Sequence, residues 1–204
     1  PFGVPTITES EPSEKIKKLV NADPYILSIG MLESRKNHAR LIESFEAVYE
    51  KNPHIRLFLV GPDGPARPQI DEALSKLSYE ARSRITITGH VSNNDRSYIL
   101  RHALLLAYPS IYEGFGLPIL EAMATTTAIV TSKEGSLAEV GGDACEFVDP
   151  YSPNDIARGI NLLLEDSELR KVLIKKGEKH LKKYTWEKTA QDLTQIYANI
   201  SKNN

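Results

Sequence analysis

Short apolar, β-branched runs alternate along this chain with longer segments of helical period, and that alternation leaves few architectures open. Tyr25 to Ile29, Ile55 to Val60, Ile85 to Ile87, Leu104 to Tyr108, Ala128 to Thr131 and Glu146 to Val148 read as strands. Between them, Leu41, Ile42, Phe45 and Val48 keep the 3.6-residue spacing, and Asn52-Pro53 closes their helix. Ile70, Leu74 and Leu77 mark a second helix, Ile99 and Leu100 a third, and Leu117 to Ala124 a fourth. After Pro150 the strands stop, and Asp155 to Leu164, Glu168 to Lys183 and Trp186 to Ile200 read as three consecutive helices. Strands separated by helices cannot pair as hairpins. The expectation is therefore an α/β fold: a doubly wound parallel sheet of about six strands, helices on both faces and a helical C-terminus.

Chemistry concentrates in Tyr112-Glu113-Gly114-Phe115-Gly116-Leu117-Pro118-Ile119-Leu120-Glu121-Ala122-Met123-Ala124. Pro118 suits a first helical turn, where its missing N–H costs nothing, and Gly114 and Gly116 allow the backbone to approach a ligand closely. A helix start lined with small residues favours an anion, because unpaired amides and the positive end of the dipole both point at it. Glu113 precedes that start and Glu121 lies one turn inside. A ligand with a phosphate in the middle and hydroxyls at both ends, such as a nucleotide-sugar, would use all three elements. Arg35 and Lys36 follow a strand and Gly30, in the loop where a doubly wound sheet presents its ligands, and two cations there could clamp a diphosphate. The competing account is a solvated basic pair, although a helix start is where cations are disfavoured.

The same residues resemble the Glu-x7-Glu signature of retaining glycosyltransferases of family 4, whose GT-B fold faces two Rossmann-like domains. Ser28-Ile29-Gly30-Met31-Leu32-Glu33-Ser34-Arg35-Lys36-Asn37, Leu59-Val60-Gly61-Pro62-Asp63-Gly64, Ile87-Thr88-Gly89-His90-Val91 and Ala107-Tyr108-Pro109-Ser110 fall in family order. The similarity runs from about Tyr25 to the C-terminus. It implies that Arg35 and Lys36 stabilise the departing diphosphate, and that Glu113 meets hydroxyls of the transferred sugar. Gly30 and the backbone of Gly114, Phe115 and Gly116 would line the pocket. It also implies that the Leu117 amide meets the distal phosphate, that Glu121 holds the ribose hydroxyls, and that the backbone around Gly89, His90 and Val91 meets the base. Of these, Arg35, Lys36 and Glu113 carry the catalytic roles. The Arg-Lys-Asn loop resembles that of mannosyltransferases using GDP-mannose, with UDP-sugars left open. The acceptor implied is a glycan or lipid-linked, and polysaccharide biosynthesis is the implied setting.

At 204 residues the chain suits one well-packed domain and is short for two. Residues 1–204 are therefore expected to form the C-terminal donor domain, with an N-terminal acceptor domain absent; Pro1-Phe2-Gly3-Val4-Pro5 resembles the family's interdomain linker. In family members the last helix crosses back to that domain, so Trp186, Leu193 and Tyr197 are expected to lose packing, and the tail Ser201-Lys202-Asn203-Asn204 to fray. The net charge of −2 provides no field for nucleic acid or anionic lipid, so any peripheral membrane contact is assigned to the missing half. No apolar run approaches the roughly 18 residues of a transmembrane helix, and a lone Cys145 suits a reducing, cytoplasmic setting.

His38, His54, His102 and His180 show no metal spacing and no Asp-x-Asp occurs, so donor binding without a metal and without a cofactor is expected. A non-catalytic nucleotide-sugar sensor is the alternative. A dinucleotide-dependent oxidoreductase shares the sheet pattern but would need Gly-x-Gly-x-x-Gly after the first strand, where Gly30 is followed by Met31-Leu32-Glu33. One departure concerns the end of the motif helix. Family members commonly carry Cys-Gly-x-Pro there, whereas this chain has Thr125-Thr126-Thr127-Ala128. A threonine caps poorly where a left-handed residue is needed, so a turn that is strained or differently shaped is expected, with consequences for local stability more than for donor chemistry.

Overall fold

The computed structural model describes residues 3, 7 and 11–202. The chain runs α1 (Glu14–Val20), β1 (Tyr25–Ile29), a 3-10 turn (Ser34–Lys36), α2 (His38–Lys51), β2 (Arg56–Val60), α3 (Arg67–Ser75), α4 (Tyr79–Ser83) and β3 (Ile85–Gly89). It continues with α5 (Asn93–His102), β4 (Leu105–Tyr108), α6 (Leu117–Ala124), β5 (Ala128–Thr131), α7 (Leu137–Gly141), β6 (Glu146–Phe147), α8 (Pro153–Glu165), α9 (Ser167–Leu181) and α10 (Trp186–Lys202). All six expected strands are present, each end within two residues of its sequence reading. Missing from the sequence reading were α1, α4 and α7, which are too short at seven, five and five residues to display a full helical period.

The six strands are parallel, in the order β3-β2-β1-β4-β5-β6. Every residue of β1, β2, β4 and β5 is buried, which is why these segments read as uninterrupted apolar runs. Helices cover both faces. On one, Leu41, Ile42, Phe45 and Val48 of α2 pack with Ile70 of α3 and Ile156, Ile160 and Leu163 of α8 over Ile26, Leu57, Leu59 and Leu105. On the other, Ile16 of α1, Ile99 of α5 and Ile119, Leu120 and Met123 of α6 cover Leu27, Phe58, Leu106 and Ile129. Alternate residues of one strand thus serve two separate cores.

The turn after α6 is strained as expected. Thr126 takes φ +55°, left-handed for a β-branched residue. The amide of Thr127 donates to Ala122 O (2.9 Å) and that of Thr126 to Met123 O (3.3 Å), the paired bonds of a glycine-type helix end built here without glycine. Helix α10 leaves Trp186, Leu193, Ile196, Tyr197 and Ile200 exposed, although Gly3 lies so close to the Trp186 indole that a Cβ there would come within 2.5 Å of it. The helix includes Ser201 and Lys202 of the tail that was expected to fray; Asn203 and Asn204, and the linker-like Pro1, Phe2, Val4 and Pro5, lie outside the described residues. Among the described residues no helix is long and apolar enough to cross a membrane.

Candidate functional site

Strand order reverses between β1 and β4, so the loops leaving their C-terminal ends diverge to opposite faces and open a crevice between them. Into this crevice the first loop brings Gly30, Arg35 and Lys36, and the second brings Glu113 and the start of α6. Three bonds tie the first loop down, two of them to the second loop and one to Pro150 beyond β6. The Asn37 side-chain amide donates to Pro109 O (3.0 Å) and Pro150 O (2.6 Å), and the Ile111 amide donates to Arg35 O (2.8 Å). Asn37 adopts φ +62°, a left-handed conformation that asparagine tolerates better than most residues, and this turns the chain from the basic loop into α2.

The cations and Glu113 meet directly. Arg35 Nη1 donates to Glu113 Oε2 at 2.7 Å, and Lys36 Nζ to Glu113 Oε1 at 2.7 Å. The Tyr108 hydroxyl donates to the same Oε1 at 2.7 Å and accepts from Lys36 Nζ. Arg35 also pairs with Glu33 at 2.8 Å and stays 43% exposed, whereas the side chains of Lys36 and Glu113 are only 10% and 7% exposed. Burial by itself would push the Glu113 carboxyl up, but hydrogen bonds from Lys36 and Tyr108, with the Lys36 charge, hold it below the ordinary carboxylate value. Glu113 is therefore an anion held inside a cationic pocket. Its main-chain oxygen is fixed by the Ser136 hydroxyl at 3.0 Å.

Helix α6 opens on Gly116 at φ +95°, where a Cβ would also lie 2.8 Å from a Leu137 methyl, so two separate constraints demand glycine. Gly114 differs. A Cβ there meets no protein atom within 4 Å, and the residue is exposed, so its backbone faces open space. Leu117 is exposed at the mouth with Pro118 in the first turn, and Phe115 is half-buried, edge-on to Tyr184 with ring centroids 6.0 Å apart. Lys36 lies across Gly30, whose φ is +149° and whose added Cβ would sit 3.0 Å from Lys36 Cε.

Glu121 is 3% exposed and faces α5. Arg96 Nη1 donates to its Oε1 at 2.7 Å, and Arg96 Nη2 donates to Oε2. His90 and Val91 follow β3 and line a 510 Å³ cleft with Ile16 and Leu19 of α1, Ile87 of β3 and Ser92, the N-cap of α5. The expected site residues thus divide in two: Gly30, Arg35, Lys36, Glu113 and the 114–117 backbone at the crevice, and His90 and Val91 at the cleft. Glu121 is linked to the cleft side through α5.

Sequence reasoning missed three contributors. Tyr108 could have been noticed as a hydroxyl closing an apolar strand, and Asn37 as a residue tolerant of left-handed backbone. Arg96 could have been noticed as a cation near a helix start, where the dipole disfavours one. Among the described residues no group of three or more His, Cys, Asp or Glu is arranged to hold a metal ion.

The profile of the family described as "Glycosyl transferases group 1" matches residues 9–180. The O-antigen chain mannosyltransferase B of Escherichia coli is 33% identical over 174 residues, which are 85% of this chain and 45% of that protein. Sucrose-phosphate synthase from Thermosynechococcus elongatus superposes with a TM-score of 0.78 at 25% identity, over 100% of this chain and 52% of that one. The C-terminal domain of a glycosyl transferase group 1 family protein from Francisella tularensis superposes with a TM-score of 0.71 at 22% identity, covering 86% of this chain and 94% of that domain. The chain spans 45% of that mannosyltransferase and 42% of a D-inositol 3-phosphate glycosyltransferase from Corynebacterium glutamicum, and 21% of the serotype-specific mannosyltransferase WbdA of Escherichia coli, so it covers less than half the length of each.

Proposed function

This chain belongs to the group 1 glycosyl transferases, and from that premise we propose that it is the donor-binding half of a retaining hexosyltransferase using a nucleoside diphosphate sugar. One observation carries the reading: two cations and a helix N-terminus converge on the crevice where strand order reverses, with a buried carboxylate on either side of that helix start. A Cβ at Gly114 would meet no protein atom within 4 Å, so nothing in the protein blocks a ligand from approaching the main chain there.

In this proposal the diphosphate lies between Arg35, Lys36 and the Gly114 to Leu117 backbone. Arg35 and Lys36 neutralise the charge that grows on the departing nucleoside diphosphate. The carboxylate of Glu113 then turns from the cations to hydroxyls of the hexose, which a phosphate counter-anion makes possible. Glu121 accepts from the ribose hydroxyls, and the base enters the cleft beside His90 and Val91. Transfer proceeds on the same face through an oxocarbenium-like state, with the departing phosphate taking the acceptor proton. A glycosidase assignment fits poorly, because the two carboxylates are held by different cations on different elements rather than facing one bond. GDP-mannose is the favoured donor, supported by the mannosyltransferase names of several relatives. The acceptor is a glycan or lipid-linked and binds a preceding domain, supported by the relatives' greater length and by the exposed apolar stripe of α10, which would pack on that domain. The setting proposed is cytoplasmic, with membrane contact made by the preceding domain.

Calorimetric titration of the 204-residue chain with GDP, UDP, GDP-mannose and UDP-glucose tests this. Glu121→Ala is expected to weaken free nucleotide by about 1 to 3 kcal/mol. Glu113→Ala should spare free nucleotide, since it releases two cations for phosphate, while weakening the sugar-bearing donor. Equal losses for both ligands in both variants would refute the division of roles.

A further inference from the structure

We propose that Arg96 is a positioning residue that orients Glu121 for the two ribose hydroxyls of the donor, an inference that rests on the role given to Glu121 above. The Glu121 side chain is only 5% exposed, and a carboxylate that buried needs a charged or hydrogen-bonding partner to offset its lost hydration and to hold one rotamer. Arg96 supplies it with both arms of the guanidinium, one to each oxygen. A planar fork of this kind fixes the carboxylate plane as well as its position, which a point charge does not. It also occupies one acceptor position on each oxygen. A carboxylate offers about four, so one remains on each for a neighbouring pair of hydroxyls.

The dipole of its own helix opposes Arg96, and the pair with Glu121 offsets that cost. Arg96 is the fourth residue of α5, and its amide donates to Ser92 O at 2.8 Å. Ser92, His90 and Val91 line the cleft assigned to the base, so the first turn of α5 joins the base cleft to the carboxylate on α6. A nucleoside bridging the two would lie alongside Arg96. The side chain is 32% exposed, leaving its outer face open to that nucleoside.

The test compares ribose and 2′-deoxyribose forms, a contrast that a purely structural role would leave unchanged. The 204-residue chain is titrated with GDP and 2′-deoxy-GDP, and with UDP and 2′-deoxy-UDP, the tighter pair being used. The wild type is expected to prefer the ribose form by roughly tenfold or more, the scale of a charge-assisted hydrogen bond. Arg96→Met is expected to abolish that preference with affinity for the deoxy form changed by less than about threefold. Arg96→Lys should fall between, because one point donor restores charge without the fork. An unchanged preference in Arg96→Met overturns the proposal, as does an equal loss of both forms alongside a lowered unfolding temperature. Should the Met variant fail to fold, an unchanged preference in Arg96→Lys overturns it. A wild type without preference, or Glu121→Ala retaining it, overturns the underlying role of Glu121 instead.

Discussion

Replacing Thr126 by glycine should stabilise this protein, although it removes a side chain from the end of the helix that carries Glu121. Thr126 sits at φ +55°, where an L-residue pays about 1 to 2 kcal/mol and a branched Cβ adds crowding. The side chain is exposed and its hydroxyl donates to the neighbouring Thr125 O at 2.7 Å, a local contact that water replaces cheaply. Glycine gives back about 0.5 to 1 kcal/mol through the greater freedom of the unfolded chain. The net expectation is a gain of about 0.5 to 1 kcal/mol, or an unfolding temperature raised by about 1 to 4 °C for a domain of this size. Thr126→Asn should recover part of the gain, since asparagine tolerates the left-handed region without the entropic penalty. Thr127→Gly is the contrast. Thr127 is buried, its hydroxyl donates to Leu100 O at 2.9 Å and pairs with that of Thr125, so its loss should destabilise by about 1 to 3 kcal/mol. Urea unfolding monitored by circular dichroism gives the midpoints. A lower midpoint for Thr126→Gly, or equal shifts for Thr126→Gly and Thr127→Gly, would refute the argument that backbone strain at one residue governs this turn.

Two further outcomes are expected. Among the described residues neither ring nitrogen of buried His38 has a hydrogen-bond partner, and burial, helped by the Lys36 charge, lowers its pKa to about 4. The unfolded chain therefore binds the extra proton first: stability should fall as pH drops from about 6.5 to 4, by up to about 3 kcal/mol, and level off below. Denaturation at pH 7, 6 and 5 reads this, and His38→Leu should flatten the profile; an equal slope in that variant would assign the acid loss elsewhere. Glu113→Ala leaves Lys36 buried beside Tyr108 without its counter-ion, and should cost the unliganded protein about 2 to 3 kcal/mol after allowing for the exposure of Arg35. Saturating GDP should then raise the unfolding temperature of the variant more than that of the wild type, because phosphate replaces the carboxylate; a smaller rise would contradict a diphosphate at that spot.

The fold and the start of the Leu117 helix were legible in the amino-acid sequence, for reasons that can be named. Strand positions showed because four central strands are buried on both faces and so carry unbroken apolar runs, and the helix at Leu117 showed because glycine and proline mark its start. The strained Thr126 turn was readable too, since a helix end needs a left-handed residue and the chain offers only threonine there. These are local properties, settled by side-chain period and backbone conformation within a few residues. Which charges meet is another matter. Glu113 lies 78 residues from Arg35 and 77 from Lys36, and Glu121 lies 25 from Arg96. Those pairs exist because β1 lies beside β4 in the sheet and α5 packs by α6. The sequence suggested two cations and two carboxylates as ligand groups, but only the packed sheet decided that each carboxylate is held by a cation.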